Sequence, residues 1–296
     1  MTAIPTFVNP KAGSAERVLA ALRDDSRCRV VEIEPSKLAD AIRAEIAGGA
    51  TRVIVSGGDG TLHTAASVLA GTAVELGIIP GGTLNHFAKF IGLPEDPVEA
   101  AQIAVGDSVR TVDVARVNGE LMLNTSSVGA YVVFVHARER LERRFGYAVA
   151  SVLALIRVAT DLRRYRVVVE VGDKTRVYNT PLLFIGVGER ELKIPLLGDR
   201  VPNGERGLHM IIARGNARSK LLLTTVAAAL RGLRAVEPES TTIDSFIVDR
   251  VRIHLRRRRG NVALDGELVP LSAPYEFVVE RDTLRVAAAD ATGDIT

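Results

Sequence analysis

Cysteine is almost absent. Cys28 stands alone in 296 residues, so no disulfide can form within the chain, which suits a reducing compartment. Tryptophan is missing and aromatics make up 4% of the residues, leaving few platforms on which bases could stack. Nucleic acid is therefore not an expected partner, despite the run Arg256 to Arg259. No apolar stretch reaches the roughly 20 residues that span a bilayer. The longest are Tyr147 to Ile156 and Leu221 to Leu230. The opening, MTAIPTFVNPKAGS, lacks the basic start and apolar run of a signal peptide. Repeats and low-complexity segments are also missing. Neither sign of charge dominates: 38 Lys and Arg face 35 Asp and Glu, a net charge of +3. That mild basic excess favours anionic surfaces or substrates without naming one. What remains is an ordinary globular composition, 47% hydrophobic and 25% charged, at a length that usually divides into about two domains.

The first third alternates strand-like and helix-like segments. Ile4 to Val8, Arg29 to Ile33, Arg52 to Ser56 and Glu75 to Ile79 read as strands. Ala15 to Leu22, Lys37 to Ala47, Thr61 to Ala70, Asn85 to Ile91 and Val98 to Ala104 read as helices. Such alternation implies a parallel sheet with crossover helices. After about Val109 the pattern changes. Val112 to Val117, an Asn118-Gly119 turn and Leu121 to Thr125 read as a hairpin. A long helical stretch follows, from about Phe134 to Leu162, and Leu221 to Leu230 reads as one more helix. Otherwise strands dominate: Arg166 to Val171, Val177 to Val187, Gly207 to Ala213, Ser245 to Leu255, Asn261 to Leu264, Tyr275 to Glu280 and Leu284 to Ala288. The expected fold class is α/β plus β. A Rossmann-like nucleotide domain over residues 1–125 precedes a mainly β-sandwich acceptor domain with inserted helices over 126–296.

Three glycine-bearing loops each follow a strand and precede a helix. In Gly57-Gly58-Asp59-Gly60-Thr61, glycines let the backbone turn sharply and approach a ligand, and the helix N-terminus points its amides at an anion. Asp59 is the oddity, because a carboxylate repels phosphate unless a cation lies between them. Mg²⁺ is the usual one. The alternative is an Asp that caps a helix. The other loops are Pro80-Gly81-Gly82-Thr83-Leu84-Asn85 and Asn9-Pro10-Lys11-Ala12-Gly13-Ser14. Lys11 can pair with phosphate, and Asn9 can bond to base, ribose or backbone. Together the loops fall at the carboxyl edge of a parallel sheet, where open α/β sheets bind ligands. The Walker pattern is absent, so this is no ordinary P-loop. Far along the chain, Asp265-Gly266-Glu267 sets two carboxylates two positions apart, on one face if the chain is extended. They suit proton abstraction, or form a plain Asp-Gly turn.

The segments FVNPKAGS, VIVSGGDGTLHTAASVL, GIIPGGTLNHFAKFIGLP and VALDGELV, in this order, resemble the catalytic domains of diacylglycerol kinases and their relatives, the bacterial lipid kinases and the sphingosine and ceramide kinases. The resemblance covers about residues 4 to 288. GGDGT alone is shared with NAD kinases and phosphofructokinases; in tandem with GGTLN it is more specific. The resemblance implies an α/β nucleotide domain joined to a β-sandwich, with the active site in the cleft between. It implies ATP and Mg²⁺ as cofactors, bound by Asn9, Lys11, Gly57, Gly58, Asp59, Gly60, Thr61, Gly82, Thr83 and Asn85, with Asp59 at the metal. It places the general base in the element Asp265-Gly266-Glu267, without choosing between the carboxylates.

Three positions depart from the family pattern. His86 stands where many relatives have Asp. Arg206 stands where an Asp contributes to a structural Mg²⁺ site in some bacterial relatives. The Thr after the second strand is missing, with Ser36 nearby as a substitute. The implied reaction is transfer of the γ-phosphate of ATP to a hydroxyl of a diacylglycerol-like or sphingoid lipid, with Asp265, Glu267 and Asp59 as catalytic residues. The alternatives are a kinase of a soluble alcohol such as NAD, and a nucleotide-binding regulator without turnover. A lipid acceptor implies a cytoplasmic protein in peripheral contact with the inner face of a membrane. The basic segment His136 to Arg144 and the run Arg256 to Arg259 suit that contact, or are solvated surface. A homodimer is compatible with all of these. The five histidines have no metal-ligand spacing, and Cys28 lies in no motif.

Overall fold

A computed structural model describes residues 3–23, 25–82, 85–129, 141, 153, 164–191, 200–201, 203–213, 243–255 and 259–289. Most of the expected helix from Phe134 to Leu162, the segment Leu221 to Leu230, residues 256–258 and Thr83 lie outside them. The chain forms two compact units, Met1–Val114 with Glu280–Thr296, and Ala115–Val279. The expectation from sequence is a single division, at residue 125. The compact units divide at residues 114/115 and again at 279/280.

In the first unit the chain runs β1 (Ile4–Val8), α1 (Ala15–Leu22), β2 (Cys28–Glu32), α2 (Pro35–Ala47), β3 (Arg52–Gly57), α3 (Asp59–Leu69), β4 (Glu75–Pro80), α4 (His86–Phe90), α5 (Pro97–Val105) and into β5 (Val109–Val117). Parallel pairing joins β2, β1, β3 and β4 in that order. β1, β3 and β4 are buried along nearly their whole length, which is why IPTFV, RVIVSG and ELGIIP read as continuous apolar runs. Val18 and Leu22 of α1 pack with Ala100, Ala101 and Ala104 of α5 against Val8, Ile54 and Ile79. The α5 alanines let that helix approach β4 closely. A Cβ on Gly77 would lie 2.7 Å from Ile54 and 3.0 Å from the Ala104 carbonyl. Pro97 opens α5, and the Asp96 carboxylate caps it by accepting from Val98 and Glu99 N–H.

One half-buried ion network closes this unit. The Arg52 guanidinium donates to Glu75 Oε2 at 2.7 and 3.0 Å and to the Ala104 and Gly106 carbonyls, and Arg285 donates to Glu75 Oε1 at 3.0 Å. Desolvation pushes the Glu75 carboxyl up, but the hydrogen bonds and charges of Arg52 and Arg285 outweigh it and hold it below its ordinary value. Glu75→Gln is expected to destabilise the protein by about 1–3 kcal/mol at neutral pH. A depressed carboxyl stabilises fully above the unfolded value of about 4.3. That contribution is lost as pH falls through the lower folded value. Guanidinium melts of both proteins at pH 7 and pH 3 check this; the gap must narrow at pH 3.

The second unit continues with β6 (Glu120–Met122), β7 (Thr125–Gly129), β8 (Tyr165–Val171), β9 (Lys174–Thr180), β10 (Leu182–Val187), β11 (Leu208–Ala213), β12 (Ile243–Val248), β13 (Arg250–Leu255), β14 (Arg259–Leu264), β15 (Glu267–Ser272) and β16 (Tyr275–Ala287). One antiparallel sheet has the order β12-β11-β10-β7-β14-β15; in the other, β9, β8, β13 and the first half of β16 are neighbours. Val167, Val169, Val251, Ile253 and Phe277 from one sheet share a core with Leu183, Ile185, Met210, Val262 and Leu264 from the other. Alternating faces that bury one side are the pattern of a sandwich.

Two expected strands are each split between the sheets. Val177 to Val187 breaks at Pro181, which has no N–H to donate, and the Thr180 hydroxyl accepts from Leu182 N–H at 3.0 Å. Ser245 to Leu255 breaks at Asp249, between β12 and β13. The reverse happens at the end of the chain. Tyr275 to Glu280 and Leu284 to Ala288 are one strand, β16. The polar step between them resembles a turn, but left-handed Asp282 (φ 53°) donates its N–H to the buried Asp113 carboxylate at 3.0 Å. β15 was not expected. β5 runs across the division at 114/115 and β16 across that at 279/280.

Candidate functional site

The three glycine loops of the first unit meet at the carboxyl ends of β1, β3 and β4. They touch backbone to backbone. Gly81 N–H donates to the Gly57 carbonyl at 2.8 Å, and Asn9 N–H to the Ser56 carbonyl at 3.0 Å. A Cβ on Gly82 would lie 2.7 Å from the Gly58 Cα. One on Gly81 would lie 2.8 Å from the Ser14 hydroxyl and 3.1 Å from the Gly57 Cα. One on Gly57 would strike the Thr61 side chain at 2.6 Å. These glycines are required by close approach, whatever ligand is present.

The polar side chains of the loops hold the loops themselves. Asn9 accepts from Lys11 N–H at 3.0 Å and donates to the Thr61 hydroxyl at 3.5 Å. Asn85, left-handed at φ 49°, accepts from Gly82 N–H at 2.8 Å and donates to the Gly82 carbonyl at 2.9 Å. Ser14 precedes α1 but does not cap it; its hydroxyl donates to the Pro80 carbonyl at 3.3 Å. Ser14 and Gly81 therefore both stand where the loops meet. Lys11 is exposed, 3.8 Å from Glu34. What the three loops offer a ligand is therefore mainly backbone amide, above all in the first turn of α3, where Gly58, Asp59 and Gly60 stand.

Asp59 reaches across to the third loop. Its oxygens accept from His86 N–H at 3.2 Å and Phe87 N–H at 3.3 Å, so it caps α4 rather than its own helix. Both contacts are long, and two acceptors' worth of lone pairs stay available. His86, the departure from the family pattern, contributes its backbone amide here.

In the second unit, Leu264 pairs with Glu267 across a two-residue turn in which Asp265 (φ 48°) and Gly266 (φ 91°) are both left-handed, the geometry of a type I′ hairpin. The chain is not extended there, so strand alternation does not put the two carboxylates on one face. Asp265 turns to the link between β6 and β7. It accepts from Leu123 N–H at 2.7 Å, Asn124 N–H at 2.8 Å and Thr125 N–H at 2.9 Å. These bonds explain why the expected strand from Leu121 to Thr125 is broken at Leu123 and Asn124. Charge-assisted bonds of this kind contribute about 1.5–3 kcal/mol each. Glu267 is exposed.

Nearby, buried Arg190 donates to the carbonyls of Asn124 at 2.7 Å and Val187 at 3.0 Å. His209 is buried too. Its Nδ1 accepts from Arg190 N–H at 2.8 Å, which leaves the proton on Nε2, facing the Ser245 hydroxyl at 2.6 Å. Burial pushes the His209 pKa down, the Glu189 charge opposes this, and the Arg190 charge adds to it. This is a neutral, satisfied core histidine and cannot act as base toward Ser245. Burial likewise pushes the Cys28 thiol up, which keeps it protonated. Among the described residues, no group of three or more His, Cys, Asp or Glu is arranged to hold a metal, and no helix is long and apolar enough to cross a membrane.

A parallel α/β unit with interlocked glycine loops, carried with an antiparallel sandwich, defines the class: a two-unit protein of α/β plus β architecture. Residues 4–117 match the model of the diacylglycerol kinase catalytic domain. The chain is 38% identical to a diacylglycerol kinase of Bacillus subtilis over 234 residues, 76% of this chain and 74% of that one. A diacylglycerol kinase of Mycobacterium tuberculosis is 38% identical over 126 residues, 40% of this chain and 41% of the relative, so that match spans less than half of the relative's length. A crystal structure of a candidate diacylglycerol kinase from Bacillus anthracis shares the fold, with a TM-score of 0.75 over 98% of both chains at 22% identity. The chain belongs to the diacylglycerol kinase family.

Proposed function

We propose that this protein transfers the γ-phosphate of ATP to a hydroxyl of a diacylglycerol-like or sphingoid lipid. The observation that carries the reading is the contact of the Gly57–Gly58 and Gly81–Gly82 backbones, where Cβ atoms are excluded and α3 begins. Such a cradle suits a polyphosphate lying along the amides. A carboxylate in its midst fits Mg²⁺, and Asp59 is the residue that would hold it. When bound, the ion neutralises charge on phosphate oxygens. Asp59 also fixes the third loop through His86 and Phe87 N–H. Lys11 swings from Glu34 to phosphate, and Gly58, Asp59 and Gly60 supply amides. The turn carrying Asp265 and Glu267 supplies the acceptor of the hydroxyl proton. Positioning and charge neutralisation provide most of the rate. A lipid acceptor draws the protein to a membrane surface, which the mild positive charge assists.

The test is calorimetric titration with MgATP, then ³²P transfer to vesicles containing diacylglycerol or sphingosine, with NAD and glycerol as soluble acceptors. Micromolar binding and labelled lipid are expected. Folded protein without MgATP affinity overturns the reading. Label on NAD alone makes it a kinase of soluble alcohols, and binding without transfer makes it a regulator.

A further inference from the structure

We propose that the outer edge of β9 pairs with a second copy of this chain, as an antiparallel β9–β9 dimer centred on Val177. Only residues of the second unit take part, and phosphate transfer is not involved.

Among the described residues, β9 ends the larger sheet, with β8 on one side and no strand on the other. The strand is regular. All seven residues from Lys174 to Thr180 pair with β8 in one unbroken register. An edge strand presents a row of N–H and C=O groups without partners, ready to template another strand. Proteins commonly blunt such edges with proline or a bulge. β15, which ends the smaller sheet, carries Pro270. β9 carries neither device. Its residues Lys174 to Val177 and Asn179 are exposed. Val177, 56% exposed, is the most open large hydrophobic side chain among the described residues.

Charge decides the occupant. Opposite residues of an antiparallel pair share a face, so a two-fold axis passes through one residue and its copy, and the pairing is isologous. The register that uses the whole strand sets Val177 against Val177, Arg176 against Tyr178, Thr175 against Asn179 and Lys174 against Thr180. No like charges are opposed. Moving the centre one residue toward Lys174 sets Arg176 against Arg176, which destabilises. Moving it toward Thr180 leaves only residues 176–180 paired. Parallel pairing in register opposes both Lys174 and Arg176 to themselves. The two cations therefore leave the edge open and select one register. Side chains add to it. Val168 lies opposite Val177 on β8, so the axis doubles that pair into a stripe of four valines. On the other face, Arg176 meets the ring of the partner's Tyr178, a cation–π pair. A single strand pair lies at the low end of specific interfaces, below roughly 1,200 Å². The dimer is therefore expected to depend on concentration.

Sedimentation velocity on the full-length protein over a dilution series, with thermal melts alongside, compares wild type, Val177→Lys and Val98→Lys. Val98, 41% exposed in the first unit, is the control. Wild type is expected to pass from monomer to dimer as concentration rises. Val177→Lys sets two ammonium groups at the axis and is expected to weaken that step by roughly tenfold or more with an unchanged melt. Val98→Lys is expected to associate like wild type. Register is read in a Cys28→Ser background. Val177→Cys is expected to form an interchain disulfide on mild oxidation, because directly opposite Cβ atoms lie about 4.5–5.5 Å apart. Thr175→Cys, opposite Asn179, is expected not to. If Val177→Lys melts early, this contrast decides. Wild type that stays monomeric throughout overturns the proposal. A dimer untouched by Val177→Lys, or lost equally in Val98→Lys, overturns it too, as does equal cross-linking of the two cysteine variants. Flotation with phosphatidylglycerol vesicles tests the other occupant. A monomer whose lipid binding changes with Val177→Lys assigns this edge to a membrane and overturns the dimer.

Discussion

Asp59→Ala is expected to lower the proposed phosphotransfer by on the order of 10²–10³-fold, the loss typical of removing one preorganised electrostatic partner. The competing explanation is purely structural, because Asp59 caps α4 through His86 and Phe87 N–H. Magnitudes separate the two. A lost cap costs about 0.5–2 kcal/mol. Each factor of ten in rate needs about 1.4 kcal/mol. Capping alone therefore accounts for a loss of roughly tenfold, and for a matching fall in stability. Thermal melts run beside ³²P transfer decide the matter. A small fall in Tm with a rate loss beyond a hundredfold assigns Asp59 to the phosphates and their cation. Equal losses in both assign it to the loop alone. Asp59→Asn is informative as well, since its amide turns a donor toward one of two N–H groups.

Gly82→Ala is the second large effect. Its Cβ would lie 2.7 Å from the Gly58 Cα and 3.0 Å from Asn85 Oδ1. The first obstacle is backbone and cannot rotate away. The second is the side chain that holds Gly82 by both N–H and carbonyl. Relief requires the second and third loops to part, at a cost of about 1–3 kcal/mol, as for overpacking elsewhere. Parting the loops spoils the amide cradle, so MgATP affinity is expected to fall at least tenfold, about 1.4 kcal/mol. Gly92→Ala is the control. Gly92 has a positive φ of 71° but open space around its Cβ position, so its loss is one of backbone strain without a change in nucleotide affinity. Calorimetry on both variants checks the contrast. Equal MgATP affinity in Gly82→Ala and wild type would remove the cradle from the site.

Legibility differed between the units for a physical reason. In the first, strands such as RVIVS and ELGII are buried and parallel, so their apolar runs announce them, and each loop lies next to the helix it opens. In the second, Val177 to Val187 and Ser245 to Leu255 looked continuous because both halves of each are strand. The exchange of sheets at Pro181 and Asp249 is a matter of partners. The split at Leu123 and Asn124 was invisible, since it comes from a carboxylate 142 positions away in sequence.

The sequence alone determined the parallel unit, its three glycine loops, the antiparallel character of the rest and the family, because these rest on local periodicity and contiguous motifs. The tertiary structure alone decided where the polar side chains are spent: Asn85 on its own loop, Asn9 on its own loop and Thr61, Asp59 on α4, Asp265 on residues 123–125. The same residue types at the same spacing serve equally as ligands or as fasteners. Which they are depends on the amides that folding brings within hydrogen-bonding distance, and distant backbone leaves no trace in local sequence.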